Sequence, residues 1–307
     1  MLIDYILNNC NDRYVGHDFS TTCTYCTCGT FCEHSCEKCL HYIHSPHKAP
    51  PNYPDRKYDC SNMADMYTCK YSYRYTSEMI YALKRLNDAR SKKELKVLSF
   101  GCGPCTDLMA LDYLREKRIY SYEKLSYRGV DYSRDVWKLV HQDIKDYNNE
   151  HVTAKFFYED ACILMDKISS GTWIPDIITF QYVLSDMQKH TGKNATNAFI
   201  GRLATFINDH MASGSYVVLN DANFGIDYGG GREYFDRLFN RIHYADMRKG
   251  RFHNDNRSFT YPYGEDSDGE FLYNKNIFKW NKEWENRYTP FDTCASAQMI
   301  IKRIDGI

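Results

Sequence analysis

The sequence predicts an α/β protein, in which a doubly wound, mostly parallel sheet follows a small cysteine-rich module at the N-terminus. Two observations predict this arrangement. Short apolar strands alternate with helical segments from residue 96 to about residue 219, a pattern typical of a parallel sheet with helices on both faces. Nine of the 13 cysteines fall within residues 1–69. We therefore expect a module and connector over 1–75 and an α/β domain over 76–307.

Composition excludes several classes of protein. The chain has 307 residues, of which 43% are hydrophobic, and its net charge is −1, which excludes a disordered acidic or basic chain. The charge also argues against a protein that grips nucleic acid through its overall field. Its apolar runs are far shorter than the roughly 20 residues of a membrane span. The first residues lack the basic region of a secretory signal, so we expect a cytoplasmic protein with no membrane partner.

The first module is defined by its cysteine spacing. Two Cys-x2-Cys pairs, at 23/26 and 36/39, can each present two thiolates to one tetrahedral zinc ion. The density predicts about two structural zinc ions. The predicted ligands are Cys23, Cys26, Cys28, Cys32, Cys36, Cys39, Cys60 and Cys69. The spacing does not fix their pairing, and His44 could replace Cys28. Unliganded thiols, or a redox or iron–sulfur role, are the alternatives.

The remaining elements follow from apolar periodicity. Helices are predicted over 2–8, 76–90, 104–117, 133–147, 161–170 and 194–212, with a further helical stretch near 232–245. Strands are predicted at Val97–Phe100, Tyr127–Val130, Lys155–Tyr158, Asp176–Phe180, Ser215–Leu219 and Ala297–Lys302.

The first of these strands runs into a glycine-rich turn, Gly101-Cys-Gly-Pro-Cys-Thr-Asp107. Glycines allow a sharp turn and let a ligand approach the backbone at a helix N-terminus. The sixth position is Thr106, so the turn is not the GxGxxG of dinucleotide sites. Asp131 ends the second strand, where a carboxylate can hold a ribose diol. Asp160 follows the third, where a side chain can reach an adenine amino group. These ends meet at one edge of the sheet, where ligands bind, although either aspartate could instead cap a helix.

With these motifs, residues 96–224 resemble the class I S-adenosylmethionine-dependent methyltransferases, and residues 297–302 resemble the last strand of their Rossmann-like sheet. The resemblance implies a transferase that uses S-adenosylmethionine. It assigns the following residues to the cofactor site: Gly101, Cys102, Gly103, Asp107, Asp131, Tyr132, Asp160, Ala161, Gln181, Tyr182 and Arg74. Two positions depart from the family pattern, since Ser99 replaces an acidic residue and Cys105 replaces the third glycine.

The resemblance also implies a role for each part of this set. Gly101 and Gly103 would line the methionine and ribose part of the cofactor. Asp131 would take the ribose hydroxyls, with Tyr132 beside the adenine. The adenine edge would meet residues 160–161, and the sulfonium region would face residue 181.

A run of tyrosines precedes the first strand, with Tyr71, Tyr73 and Tyr75 alternating around Arg74. In the resembled family a helix at this point often closes over the cofactor, so Arg74 or a tyrosine hydroxyl could bind its carboxylate. The alternative is an aromatic face that packs the N-terminal module onto the sheet.

The methyl acceptor is the least defined part of the prediction. Tyr182, Asp186 and His190 are the candidate bases, and no motif selects among them. One basic patch stands out, formed by Arg241, His243, Arg248, Lys249, Arg251, His253 and Arg257. We favour RNA as the acceptor because such a patch can contact a phosphate backbone; a charged surface helix is the alternative. A protein or small-molecule acceptor, or a non-catalytic protein that binds S-adenosylmethionine, also remains open.

Overall fold

The structure is a computed structural model that describes residues 1–17, 35–45, 48–51, 58–147, 149–223, 230–252, 270–272, 275–280 and 282–306. Within these ranges the helices are α1 (Leu2–Val15), α2 (Cys36–His44), α3 (Ser61–Leu83), α4 (Asn87–Arg90), α5 (Thr106–Glu116), α6 (Arg134–Asp146), α7 (Ala161–Ser169), α8 (Val183–His210), α9 (Glu233–Phe239) and α10 (Lys282–Tyr288). The strands are β1 (Glu94–Phe100), β2 (Lys124–Val130), β3 (Val152–Phe157), β4 (Ile177–Gln181), β5 (Tyr216–Ala222), β6 (Ala245–Phe252), β7 (Glu270–Leu272) and β8 (Ser296–Arg303).

The strands form one sheet in the order β3-β2-β1-β4-β5-β8-β6-β7. β1 to β5 are parallel, and β8 runs antiparallel to both of its neighbours, β5 and β6. The order reverses between β1 and β4, so that the chain crosses the sheet in both directions from β1. This confirms the predicted doubly wound, mostly parallel sheet.

Both faces of the sheet are buried, because successive residues of the central strands point to opposite sides. Ile177 and Val218 belong to the apolar cluster shared with α1, α3, α5 and α6. Ile178 and Val217 belong to the cluster shared with α7, α8 and α9. All four side chains are fully buried. The continuous apolar runs of these strands therefore predicted the helical layers on both faces.

The helix predicted over 76–90 is part of α3, which begins at Ser61 and ends at Leu83. The short α4 follows it before β1. Thr76 and Ser77, at the predicted start, lie in the interior of α3, where the Ser77 hydroxyl donates to the Tyr73 carbonyl oxygen at 2.6 Å. α3 packs against α1 and α5, and its buried residues share one apolar cluster with β1. The domain boundary predicted at residues 75/76 thus falls inside a continuous helix.

The basic patch is not a surface helix, because β6 occupies Ala245–Phe252 and pairs with β8. The predicted helical stretch ends earlier, as α9 finishes at Phe239. β6 is rich in charged residues, and pairing with β8 decides its conformation over intrinsic propensity. α8 also begins before its predicted start, and its helical geometry is interrupted at Gly192 (φ 83°, ψ 166°).

Among the described residues, no helix combines the length and apolar character needed to cross a membrane.

Candidate functional site

The candidate site lies at the carboxyl edge of the parallel strands. Phe100, the last residue of β1, pairs with Val130 of β2 on one side and Phe180 of β4 on the other. The segments that follow these three strands therefore start side by side. The glycine-rich turn and Asp131 follow β1 and β2, and Gln181 is the last residue of β4. The structure brings all three to one edge, as predicted.

The glycine-rich turn contains three residues with left-handed backbone, Gly101 (φ 57°), Gly103 (φ 45°) and Cys105 (φ 61°). The Cys105 amide donates to the Cys102 carbonyl oxygen at 2.7 Å, and α5 begins at the next residue. A Cβ atom at Gly101 would lie 2.6 Å from Cγ2 of Val183, so this position has room for glycine alone.

Asp131 is joined to this turn by a hydrogen bond that spans two strands. Its Oδ2 accepts from the Gly103 amide at 3.0 Å, and its Oδ1 accepts from the Ser133 amide at 2.9 Å. Burial raises the pKa of this carboxyl, while the two amides oppose the shift. The next residue, Tyr132, is 86% exposed. A carboxylate and an open aromatic ring thus stand beside the turn.

Asp160 takes the alternative role considered for both aspartates. Its Oδ1 accepts from the amides of Cys162 at 2.7 Å and Ile163 at 3.3 Å, which makes it the N-cap of α7. Ala161 is the first residue of that helix. These contacts explain Asp160 without a ligand.

Gln181 and Tyr182 are held by side chains around the strand ends. Gln181 accepts from the Thr106 hydroxyl at 2.5 Å and donates to the Tyr75 carbonyl oxygen at 2.8 Å. The Tyr182 ring stacks on Tyr75 with ring centroids 4.4 Å apart. Because Tyr75 belongs to α3, this helix lies across the carboxyl edge of the sheet.

Arg74 lies next to this stack. Its Nε donates to Oε1 of Glu78 at 3.2 Å, and its guanidinium also contacts the Tyr182 hydroxyl at 3.3 Å. Oε2 of Glu78 is buried and has no hydrogen-bond partner among the described residues. Tyr71 and Tyr75 are buried; the Tyr71 ring lies against His44 of α2, and the Tyr75 ring against Tyr182, as the aromatic-packing interpretation expects.

Two residues of the predicted set face away from the edge. Asp107 points into the core, where it accepts from the hydroxyls of Tyr127 at 2.9 Å and Thr179 at 2.5 Å. Cys102 points beneath the turn, because a Cβ at Gly129 would lie 2.8 Å from its Sγ.

Half of the predicted zinc ligands, Cys23, Cys26, Cys28 and Cys32, lie outside the described residues. Cys36 and Cys39 are one turn apart on α2, and Cys60 precedes α3. Cys69 is buried, with its Sγ 3.8 Å from the Leu7 carbonyl oxygen.

His44, at the end of α2, has aromatic side chains as its neighbours among the described residues. Its ring nitrogens face the hydroxyls of Tyr58 at 3.0 Å and Tyr71 at 3.5 Å, and burial lowers its pKa to about 4. Cys28 lies outside the described residues, so the suggestion that His44 replaces it as a ligand stays a prediction.

A different group converges instead. Among the described residues, Cys102, Cys105 and His141 form the one set of three metal-ligating side chains whose donor atoms all lie within 4.8 Å of one another. Burial raises the pKa of Cys102. Burial also acts to raise the pKa of Cys105, but the Cys102 hydrogen bond and the His141 ring outweigh it and bring that pKa to about 7.

Three residues at or near this edge carry little signal in the sequence. His141 lies within α6 and looks like an ordinary core position. Glu78 lies within the helix predicted over 76–90, where no local motif distinguishes it. Asp221, near the end of β5, accepts from the amides of Leu184 and Ser185 at 2.9 and 3.1 Å, and burial raises its pKa to about 6. Each role depends on partners distant in sequence.

The candidates for contact with the acceptor are less closely grouped. Asp186 is partly buried, which raises its pKa, and His190 is exposed. In the basic patch, Arg248 is exposed, and Lys249 forms an ion pair with Asp236 at 2.7 Å. His253 and Arg257 lie outside the described residues.

No protein-family model and no curated protein matches this chain. Solved structures with similar folds include a SAM-dependent methyltransferase from Archaeoglobus fulgidus, with 15% identity, 74% of this chain and 94% of that chain covered, and a TM-score of 0.41. A magnesium protoporphyrin IX methyltransferase from Synechocystis with bound SAM has 11% identity, coverages of 87% and 90%, and a TM-score of 0.42. An O-methyltransferase from Bacillus cereus in complex with SAH has 10% identity, the same coverages and a TM-score of 0.41. Values this low carry no argument about activity.

Proposed function

We propose that this chain binds S-adenosylmethionine at the carboxyl edge of β1, β2 and β4 and transfers its methyl group. The observation that carries the proposal is the hydrogen bond between the Gly103 amide and Asp131, 3.0 Å long. It joins the glycine-rich turn to the one strand-end carboxylate that could hold a ribose diol. The glycine-rich turn follows β1, which borders the switch point between β1 and β4 where doubly wound sheets bind ligands, and Asp131 follows the neighbouring strand β2.

The residues present fit such a cofactor. Gly101, the first residue of the turn, is exposed, so a ligand can approach its backbone closely. Tyr132 offers an open aromatic face for the adenine. At the methionine end of the cofactor, Arg74 can bind the carboxylate of the amino-acid moiety. Oε2 of Glu78, which has no hydrogen-bond partner among the described residues, can accept from the ammonium group of that moiety.

S-adenosylmethionine supplies an electrophilic methyl group on its sulfonium. The chain's own contribution is to orient donor and acceptor and to exclude water. α3 lies over the strand ends through the Tyr75–Tyr182 stack, and Gln181 is fixed from both sides. Holding two reactants in line accounts for a large share of the barrier reduction in such reactions. Burial raises the pKa of Asp186, one of the candidate bases, which makes its carboxylate a stronger proton acceptor.

The acceptor is the finer part of the proposal. RNA is supported by the exposed Arg248 and its neighbours on β6, although the ion pair of Lys249 with Asp236 reduces the charge that is free for phosphate. Changing Arg248, Lys249 and Arg251 together to alanine should weaken RNA binding and flatten its salt dependence while leaving cofactor affinity unchanged. Equal salt slopes would instead favour a protein or small-molecule acceptor.

We also propose that the N-terminal segment binds about two structural zinc ions. The spacing of its cysteines supports this, as does the one-turn separation of Cys36 and Cys39 on α2. Cys69 fits least well among the proposed ligands, because its thiol packs against the Leu7 carbonyl. Metal analysis should find about two ions in this segment, and chelation should lower the free energy of unfolding. Metal-free protein of unchanged stability would refute it.

The activity is tested with labelled S-adenosylmethionine. The purified chain is incubated with total RNA, total protein and small metabolites, and the label in each fraction is counted. Transfer to one fraction identifies the acceptor class. Tight cofactor binding without transfer to any fraction would support a non-catalytic binding protein, and absence of binding would refute the whole proposal.

A further inference from the structure

We propose that Cys102, Cys105 and His141 form a second metal site, occupied by zinc, directly beneath the glycine-rich turn. The three donor atoms come from two separate segments, the turn and α6, and all lie within 4.8 Å of one another. Cys102 Sγ is 3.7 Å from Nε2 of His141. Zinc–sulfur and zinc–nitrogen bonds of about 2.3 and 2.1 Å at a tetrahedral angle place such atoms about 3.5 Å apart, so little rearrangement is needed.

The chemistry of the donors selects the ion. Two thiolates and one imidazole form a soft set that suits zinc better than calcium or magnesium. All three side chains are buried, with exposures of 6%, 0% and 1% in chain order. Two thiol protons leave to solvent when the ion binds, and the resulting buried thiolates are neutralised by its charge.

Neighbouring groups already orient the imidazole. Nδ1 of His141 lies 2.8 Å from the Tyr158 hydroxyl, and its ring stacks on Phe156 with centroids 3.9 Å apart. In metal sites the second ring nitrogen is commonly held in this way, which fixes the orientation of the ring. Nε2 lies 2.8 Å from the Gly103 carbonyl oxygen. Binding requires Nε2 to lose its proton while Nδ1 donates to Tyr158, with the Gly103 carbonyl left nearby as an oxygen donor.

The backbone at Cys105 is a second, independent observation. Its φ of 61° and ψ of 47° lie in the left-handed region that favours glycine. Cysteine at this position costs free energy that glycine would not. A role for the thiol offsets that cost, and a metal bond supplies one.

The ion would connect the turn to α6. Gly103 lies between the two cysteines, and its amide is the one that reaches Asp131. The site would therefore hold the turn in the conformation that presents this amide. The metal site itself does not depend on the proposed activity.

The test compares zinc content by mass spectrometry in the full-length wild type, Cys105→Gly and Cys102→Ser, each purified with an excess of zinc over all the proposed sites and then desalted. Cys105→Gly keeps a residue suited to the left-handed backbone, so it should fold. Cys162→Ser is the matched control, because Cys162 lies on α7, away from this group. We expect both variants in the turn to lose one zinc equivalent relative to wild type and control. After cobalt substitution, both should lose the same part of the thiolate–cobalt absorption.

Unchanged zinc content in Cys105→Gly would overturn the proposal. A disulfide between Cys102 and Cys105 in the wild-type protein, found by peptide mass, would also overturn the proposal if the variants have the same zinc content as the wild type. A wild type with a single zinc ion, lost in Cys105→Gly, would support this site and refute the N-terminal one. The failures of the two zinc proposals are therefore distinguishable.

Discussion

The ends of β2 and β3 carry the same residue type at the same edge of the sheet, yet the two aspartates have different partners. Asp131 accepts from the Ser133 amide two residues later, and also from the amide of Gly103, which lies 28 residues earlier in the chain. Asp160 accepts from amides two and three residues later, inside the helix that it caps. A local partner satisfies a helix N-terminus, whereas a distant partner connects two loops beside the proposed cofactor site. The partner, more than the position, distinguishes a site residue from a cap.

The largest effect on stability is expected at the glycine-rich turn, which Asp131 contacts and Asp160 does not. Gly101→Ala should lower the free energy of unfolding by about 3 kcal/mol, from left-handed strain and the contact with Val183. Chemical denaturation measures this. Gly103→Ala is the control, because its Cβ would lie 3.6 Å from Trp137, an ordinary contact, and strain alone should cost about 1 kcal/mol. Equal losses in the two variants would show that Val183 gives way.

Asp131→Ala should weaken S-adenosylmethionine binding by about 1–3 kcal/mol, which is roughly 5- to 150-fold. The variant removes the carboxylate proposed to hold the ribose diol, together with the acceptor of the Gly103 amide. Asp131→Asn keeps an acceptor for that amide and should lose less. Calorimetry measures both affinities, and an unchanged value for the alanine variant would remove Asp131 from the site.

Asp160→Ala should lower the free energy of unfolding by about 1 kcal/mol, the usual cost of losing an N-cap, and leave cofactor affinity unchanged. Thermal or chemical unfolding and calorimetry separate the two effects. Asp160→Asn, which can still cap α7, should retain most of the stability. A loss of affinity as large as that of Asp131→Ala would restore Asp160 to the adenine edge and break the comparison.

The smallest effect concerns pH. Burial raises the pKa of Asp131 above its ordinary value of about 3.8. The folded state then holds this proton more tightly than the unfolded state, so the carboxyl's contribution to stability declines as pH rises above about 3.8. The stability of wild type relative to Asp131→Asn should therefore fall with rising pH in the cofactor-free protein. Denaturation curves at several pH values check the sign, and a rising difference would contradict it.

The parallel core was predictable because its strands are apolar on both faces. The four residues Ile177, Ile178, Val217 and Val218 show why, since each is buried against helices on one side or the other. The last strand, predicted at Ala297–Lys302, is confirmed as Ser296–Arg303 for the same reason. β6 escaped prediction because its residues are charged and its conformation depends on a strand that comes much later in the chain.

The site was partly predictable. The glycine-rich turn and Asp131 were identified from their order along the chain, which parallel topology converts into proximity. His141 could not be, because nothing in its local sequence indicates that Cys102 and Cys105 lie against it. The N-terminal cysteines are close together along the chain, and this spacing predicts a zinc module there. The described residues instead bring together two cysteines and a histidine nearly forty positions apart.

The position of β8 has a consequence for how the chain reaches its native state during synthesis. β8 lies between β5 and β6 in the sheet but follows both in the chain. Until it has been made, β5 presents a free hydrogen-bonding edge bearing Val217, Val218 and Leu219, and β6 has no route into the sheet. Open apolar edges of this kind are prone to pair with other chains. The nascent chain is therefore most exposed to aggregation just before β8 leaves the ribosome. Insertion of β8 then covers the edge of β5 and joins β6 and β7 to the sheet.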